Sequence, residues 1–219
     1  IETVRWRLVM LKTQIFKTIR VLSLLLTIAF MVGCERHNLQ PVAQQAVILA
    51  FGDSLTTGRG VQKPDSYPAV LSRLANRKVV NAGLNGETTQ QALTRLPTVL
   101  AEHNPKLVIL FSGGNDFLRK VPVNQTKANL QQMIELIQQS GAEILLVGVP
   151  EKKLFADSAE LYAELSEENG VPLEDEIVGN LMVRASMKSD FVHFNEKGYQ
   201  ALAEAIYQSL QTSGAIAVD

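Results

Sequence analysis

Four short stretches of this sequence bring together residue types that do nucleophilic chemistry. They are Gly52-Asp53-Ser54-Leu55-Thr56-Thr57-Gly58, Asn81-Ala82-Gly83-Leu84-Asn85-Gly86-Glu87-Thr88, Ser112-Gly113-Gly114-Asn115-Asp116 and Asp190-Phe191-Val192-His193. A serine on a tight turn, a histidine, a nearby carboxylate and glycine-opened backbone N–H groups are what attack on a carbonyl carbon requires. The three histidines narrow the choice of base. His37 lies in a polar N-terminal stretch, and His103, between Glu102 and Asn104 and just before Pro105, suits a solvated position at a helix C-terminus. His193 is left as the address for a general base.

These stretches need a scaffold that delivers them to one rim. Val47-Ile48-Leu49-Ala50-Phe51, Leu107-Val108-Ile109-Leu110-Phe111 and Ile144-Leu145-Leu146-Val147-Gly148-Val149 are unbroken apolar runs, and Lys78-Val79-Val80-Asn81-Ala82 is a shorter one. Runs apolar on both faces belong to parallel strands covered by helices. Between them, helical periodicity is expected over residues 67–76, 88–102, 126–140 and 158–169, with a closing helix over 197–210 that Asn195 caps. Pro97 should bend the second of these or mark a break in it, and 170–189 reads as irregular chain. The alternation βαβαβαβ…α predicts an α/β fold, a doubly wound, flavodoxin-like three-layer sandwich with a mainly parallel sheet. Its site should lie at the carboxyl ends of the strands.

Composition sets outer limits. With 46% hydrophobic and 20% charged residues and a net charge of −1, the 219-residue chain is neither disordered nor polytopic in the membrane. No basic cluster suited to nucleic acid appears beyond the N-terminal region. The lone cysteine, Cys34, excludes an internal disulfide framework and a cysteine-based zinc site. Residues 1–33 carry five basic side chains against Glu2, a net +4, which leaves −5 for the rest. Val21 to Val32 is apolar apart from Ser23 and Thr27, a dozen residues where a bilayer span needs about 20. A basic segment followed by a short apolar one is the pattern of a secretory signal. Its end, Met31-Val32-Gly33-Cys34, resembles the signal of a bacterial lipoprotein, with Met31 in place of the usual leucine. That resemblance implies a signal peptide over 1–33 (1–9 upstream of a start at Met10) and a lipidated Cys34. A tether over 34–45 and a hydrolase domain over 46–212 would follow, with the protein held at the bacterial envelope by its lipid; the alternative for Cys34 is a free or buried thiol.

Across 48–210 the four stretches, in order, make the chain resemble the SGNH, or GDSL, hydrolases, nearest their thioesterase I/lysophospholipase/arylesterase branch. The resemblance implies Ser54 as nucleophile, His193 as base and Asp190 as the partner that orients His193. It also implies an oxyanion hole made by the Ser54 and Gly86 backbone N–H groups and the Asn115 side-chain amide, with no metal or cofactor. The Gly-x-Ser-x-Gly elbow of α/β-hydrolases is absent from the sequence. Phe117 and Phe194 stand where the branch often has glycine and proline, so Phe117 with Leu118 would either wall an acyl site or narrow it.

Plainer roles compete for each position. Ser54 would otherwise be a turn hydroxyl, Gly86 a positive-φ turn residue, Asn115 a cap, Asp190 a helix-entry residue and His193 a surface imidazole. Asp53 reads as a loop organiser, Gly83 as structural, and Glu87 and Asp116 as turn and capping residues. The expected activity is a serine esterase acting on lysophospholipid, aryl or short to medium acyl esters, with acyl thioesters as a further class. A carbohydrate O-deacetylase of envelope polysaccharide and a non-catalytic acyl- or glycan-binding lipoprotein are the alternatives. The expected partners are a small-molecule or lipid ester and, through the anchor, a membrane; a monomer is expected.

Overall fold

The apolar runs become the central strands of a five-stranded, wholly parallel sheet. In the computed structural model, which describes residues 37–151 and 158–217, these are β1 (Ile48–Gly52), β2 (Val79–Gly83), β3 (Leu107–Phe111) and β4 (Glu143–Val147). A two-residue β5 (Leu173–Glu174) completes the sheet in the order β2-β1-β3-β4-β5. This is the flavodoxin-like order, with its switch point between β1 and β3. The expected α/β sandwich is therefore found, and every strand pair is parallel. All residues of β1 and β3 are buried, whereas β2 at the edge is only half-buried, with Asn81 exposed. The signal segment and Cys34 expected from the sequence lie outside the described residues.

Eight α-helices are described. They are α1 (Ser54–Thr57), α2 (Tyr67–Leu74), α3 (Thr89–His103), α4 (Gly114–Leu118), α5 (Val123–Gln139), α6 (Glu160–Asn169), α7 (Ile177–Met182) and α8 (Glu196–Thr212). Apolar residues three and four apart in α5 (Leu130, Met133, Ile134, Ile137) and α8 (Tyr199, Leu202, Ala203, Ile206, Leu210) are buried against the sheet. Each large aliphatic side chain so buried stabilises the fold by about 1.5–3 kcal/mol. Asn195 Oδ1 accepts the Gly198 N–H at 3.1 Å, the expected cap of α8. Pro97 marks no break, and α3 runs through it. Pro97 is exposed, so the Leu93 carbonyl left without a donor can turn to water.

Residues on both sides of 46–212 also pack in the core. Leu39 and Val42 are buried, and their N–H groups donate to the carbonyls of Ser213 (2.7 Å) and Ala215 (2.9 Å). Ala215 and Ile216 are buried with them. Isolated apolar residues without periodicity gave no sign of this clasp. Ser213 caps the far end of α8, whose first turn follows His193. Seventeen residues at about 1.5 Å each make α8 about 25 Å long between the His193 loop and Ser213.

Candidate active site

The carboxyl ends of β1, β2 and β3 bring the first three stretches to one rim. At the end of β1, a side chain on Gly52 would collide with the Phe111 carbonyl oxygen of β3, so only glycine lets the next turn close over the sheet. Asp53 then caps α1, its Oδ1 accepting the Leu55 N–H at 3.0 Å. Ser54 is the first residue of this four-residue helix, and Gly58 ends it at φ 85°. The exposed Asn81 of β2 donates to the Thr56 carbonyl at 2.8 Å, tying the turn to the sheet edge. As the first helical residue Ser54 has no acceptor for its N–H among the described residues, and the same holds for Gly86, at φ 75°. Both residues line the same cavity.

The fourth stretch arrives on a loop from the other end of the chain. Lys188 and Phe194 form an antiparallel bridge and the Ser189 N–H donates to the His193 carbonyl at 3.0 Å, closing residues 188–194 into a hairpin-like loop. Phe194 is wholly buried and meets Tyr199 edge-on, ring centres 5.6 Å apart, so it anchors the loop beneath His193 and lies away from substrate. His193 Nε2 is 3.0 Å from Ser54 Oγ. Its Nδ1 is 2.8 and 3.0 Å from the Asp190 carboxylate oxygens. Asp190 Oδ1 also accepts the N–H groups of Val192 and His193, each at 2.9 Å. Desolvation pushes the Asp190 carboxyl upward, but these two N–H groups and the imidazole outweigh it and hold it down at about 2. The carboxylate therefore stays charged beside the ring at any pH where an esterase works.

Asn115 sits in α4, after β3, with its amide facing Asp53. Its Nδ2 donates to Asp53 Oδ2 at 3.1 Å and to the Glu87 carbonyl at 3.0 Å. An oxyanion in the cavity would thus have to share a hydrogen already committed. Asp53 is buried, and desolvation, aided by the neighbouring Glu87 and Asp116 charges, pushes its carboxyl up to about 6 against the pull of the Leu55 and Asn115 donors. Glu87 is held by Arg95 through two bonds, Nε to Oε1 at 2.8 Å and Nη2 to Oε2 at 2.6 Å, with the guanidinium 4.3 Å from the Phe51 ring centre. Asp116 reaches across to the start of α3, accepting the Thr89 N–H at 2.8 Å and the Thr89 hydroxyl at 2.5 Å. Capping is thus its part here.

These groups open on a cavity of about 240 Å³ whose wall is mostly apolar. Phe117 and Leu118 line it, and so do Val149, Pro150 and Met182, which the sequence did not single out. Arg59 lines it too, its backbone pinned by an N–H bond to the Ser54 carbonyl (3.0 Å) and by the Tyr199 hydroxyl on its own carbonyl (2.8 Å). Position five residues after Ser54 was the one available signal for Arg59. Tyr199 and Tyr162, whose hydroxyl donates to the Ser112 carbonyl at 2.8 Å, brace the loops from helices far away in sequence and carried no such signal. Among the described residues no group of three or more His, Cys, Asp or Glu side chains is placed to hold a metal ion. The Ser54–His193–Asp190 relay can move a proton from a hydroxyl to an imidazole, and beside it the Ser54 and Gly86 N–H groups, without an acceptor among the described residues, are placed for a developing negative charge.

Known proteins resemble this chain in sequence and fold. The family model described as "GDSL-like Lipase/Acylhydrolase family" matches residues 50–201. Thioesterase 1/protease 1/lysophospholipase L1 of Escherichia coli K12 is 31% identical over 172 residues, 75% of this chain and 83% of that protein. An arylesterase of Vibrio mimicus is 32% identical over 174 residues, 74% of this chain and 87% of that protein. Among solved structures, AlinE4, described as an SGNH-hydrolase family esterase, superposes with a TM-score of 0.62 at 31% identity, covering 78% of this chain and 98% of its own.

Proposed function

The chain belongs to the GDSL-like lipase/acylhydrolase family and is a carboxylic ester hydrolase, and from that premise we propose that it cleaves lysophospholipid, aryl and short to medium acyl esters, and acyl thioesters, through an acyl-serine at Ser54. The observation that carries this reading is the unbroken relay from Ser54 Oγ through His193 to Asp190 at the wall of an apolar cavity. Ser54 Oγ attacks the substrate carbonyl carbon as His193 Nε2 takes its proton, and the charged Asp190 favours the resulting imidazolium. The tetrahedral oxyanion accepts from the Ser54 and Gly86 N–H groups and shares a hydrogen of the Asn115 amide. Collapse breaks the bond to the leaving alcohol or thiol, which receives the proton from His193. Water then attacks the acyl-serine, His193 taking its proton and returning it to Ser54 as the acid leaves. Phe117 and Leu118 wall the acyl site.

Cys34 is the lipid-bearing residue in this reading, with residues 1–33 as the removed signal, and the enzyme works at the bacterial envelope on the extracytoplasmic side as a monomer. Several acyl chains, each buried CH₂ contributing about 0.8 kcal/mol, are enough for durable attachment. No helix among the described residues is long and apolar enough to cross a membrane. A Cys34→Ser variant is expected to leave the membrane fraction; full retention there contradicts the anchor. For the substrate, a chain-length series of p-nitrophenyl esters is compared with lysophosphatidylcholine and acetylated xylan. Turnover of the lipid and aryl esters is expected. Release of acetyl groups from xylan alone overturns the assignment.

A further inference from the structure

The buried Asp53 carboxylate has no part in the proton relay, yet it faces both halves of the site. Two donors converge on it from different elements, the Leu55 N–H of the nucleophile turn on Oδ1 and the Asn115 amide on Oδ2. An ionised carboxylate is the one small side chain that accepts at both ends. Because it offers Asn115 only an acceptor, it selects which end of that amide turns toward it. The Glu87 carbonyl makes the same demand from the other side, and Glu87 is itself fixed by Arg95.

We propose that Asp53 is a positioning residue for the oxyanion hole, holding the Asn115 amide with its Nδ2 end forward while it caps the turn that carries Ser54. The proposal rests on the reading of Ser54 as nucleophile and Asn115 as oxyanion donor. A carboxyl buried at this depth is pushed up to about 6, a disadvantage that a mere cap, for which serine would serve, does not require. An asparagine at 53 has one acceptor and one donor end, so one of the two facing donors must lose its partner. Either the Asn115 amide is repelled and turns its oxygen toward the oxyanion, or the cap on the Ser54 turn is lost.

The test is a double-mutant cycle on p-nitrophenyl butyrate hydrolysis with Asp53→Asn, Asn115→Ala and the double variant, and with Ser54→Ala as the reference for the nucleophile. Asn115→Ala and Asp53→Asn should each lower kcat by about 10²–10³, the usual effect of losing one oxyanion donor, with KM changed less than about threefold. The double variant should be no worse than Asn115→Ala, since with alanine at 115 an asparagine at 53 need only cap. Asp53→Ser, which keeps a capping hydroxyl but cannot reach Asn115, should lose kcat to the same extent and serves if Asp53→Asn does not fold. Wild-type kcat in Asp53→Asn or Asp53→Ser overturns the proposal, and so do losses that multiply in the double variant. In both cases a dead Ser54→Ala and an impaired Asn115→Ala leave the esterase reading standing. Full activity of Ser54→Ala or Asn115→Ala removes that reading and the proposal with it.

Discussion

Asp53 should make this protein less stable at neutral pH than at pH 4, by an amount that one substitution can isolate. Its carboxyl is raised from 3.8 to about 6 by desolvation first, with the buried Glu87 and Asp116 charges adding to it. The native state therefore binds a proton that the unfolded chain has already released, and stability contributed by this group falls as pH rises from about 4 to about 6 and is level above. At about 1.4 kcal/mol per pH unit the loss is about 3 kcal/mol. Asp53 is buried, so solvent screening does not dilute this figure. Asp53→Asn cannot titrate, and the carboxylates away from Asp53, Glu87 and Asp116 titrate alike in both proteins. Urea unfolding of the two proteins at pH 4 and pH 7 should thus show the stability difference, variant minus wild type, rising by about 3 kcal/mol between the two pH values. In thermal melts this corresponds to roughly 6–12 °C for a domain of this size. The offset at either pH absorbs the lost hydrogen bond, so only the change with pH matters. A difference that stays constant from pH 4 to pH 7 would refute the buried, ionised carboxylate.

Asp190→Asn should lower kcat by about 10⁴ through loss of the charge that favours the imidazolium, with a fold and melting temperature close to wild type because the side chain is half exposed; a loss under tenfold contradicts its place in the relay. Since Asp190 stays ionised down to about 2, its protonation should leave kcat/KM unchanged above about pH 4, whereas protonation of Asp53, raised to about 6, should lower it, and a flat profile between pH 4 and pH 7 would count against an ionised Asp53 behind the Asn115 amide. Gly52→Ala places a methyl against the Phe111 carbonyl oxygen and 2.5 Å from Thr56 Oγ1. A cost of about 3 kcal/mol and a fall in melting temperature of several degrees are expected, whereas an unchanged melt would mean that β1 and β3 are not joined as described.

The sheet was legible because β1 and β3 are buried on both faces and so had to be apolar throughout, and the helices because their buried residues recur at three and four. Elements without either pattern were missed. β5 is two residues long, α7 is a six-residue helix inside what reads as irregular chain, and Leu39 and Val42 join the core through backbone bonds to the C-terminal segment. That α3 continues unbroken through Pro97 follows from its place on the exposed face, which is a tertiary fact. In the site, Ser54 and His193 were readable from residue type and place at the ends of elements, and Asp190 from the family resemblance. The commitment of the Asn115 amide to Asp53 and Glu87 was not, because it depends on three loops meeting. The same holds for Tyr162 and Tyr199, which reach loops 50 and 140 residues away.

Covalent capture of the nucleophile tests the central claim most directly. The wild-type protein and Ser54→Ala are treated with a fluorophosphonate probe, and the labelled residue is located by peptide mass spectrometry. A serine held 3.0 Å from His193 Nε2 should be labelled at Ser54 in the wild type, with no labelling and no ester turnover in Ser54→Ala. Equal labelling of the two proteins, or a wild type that hydrolyses esters with its label on another residue, would contradict the account.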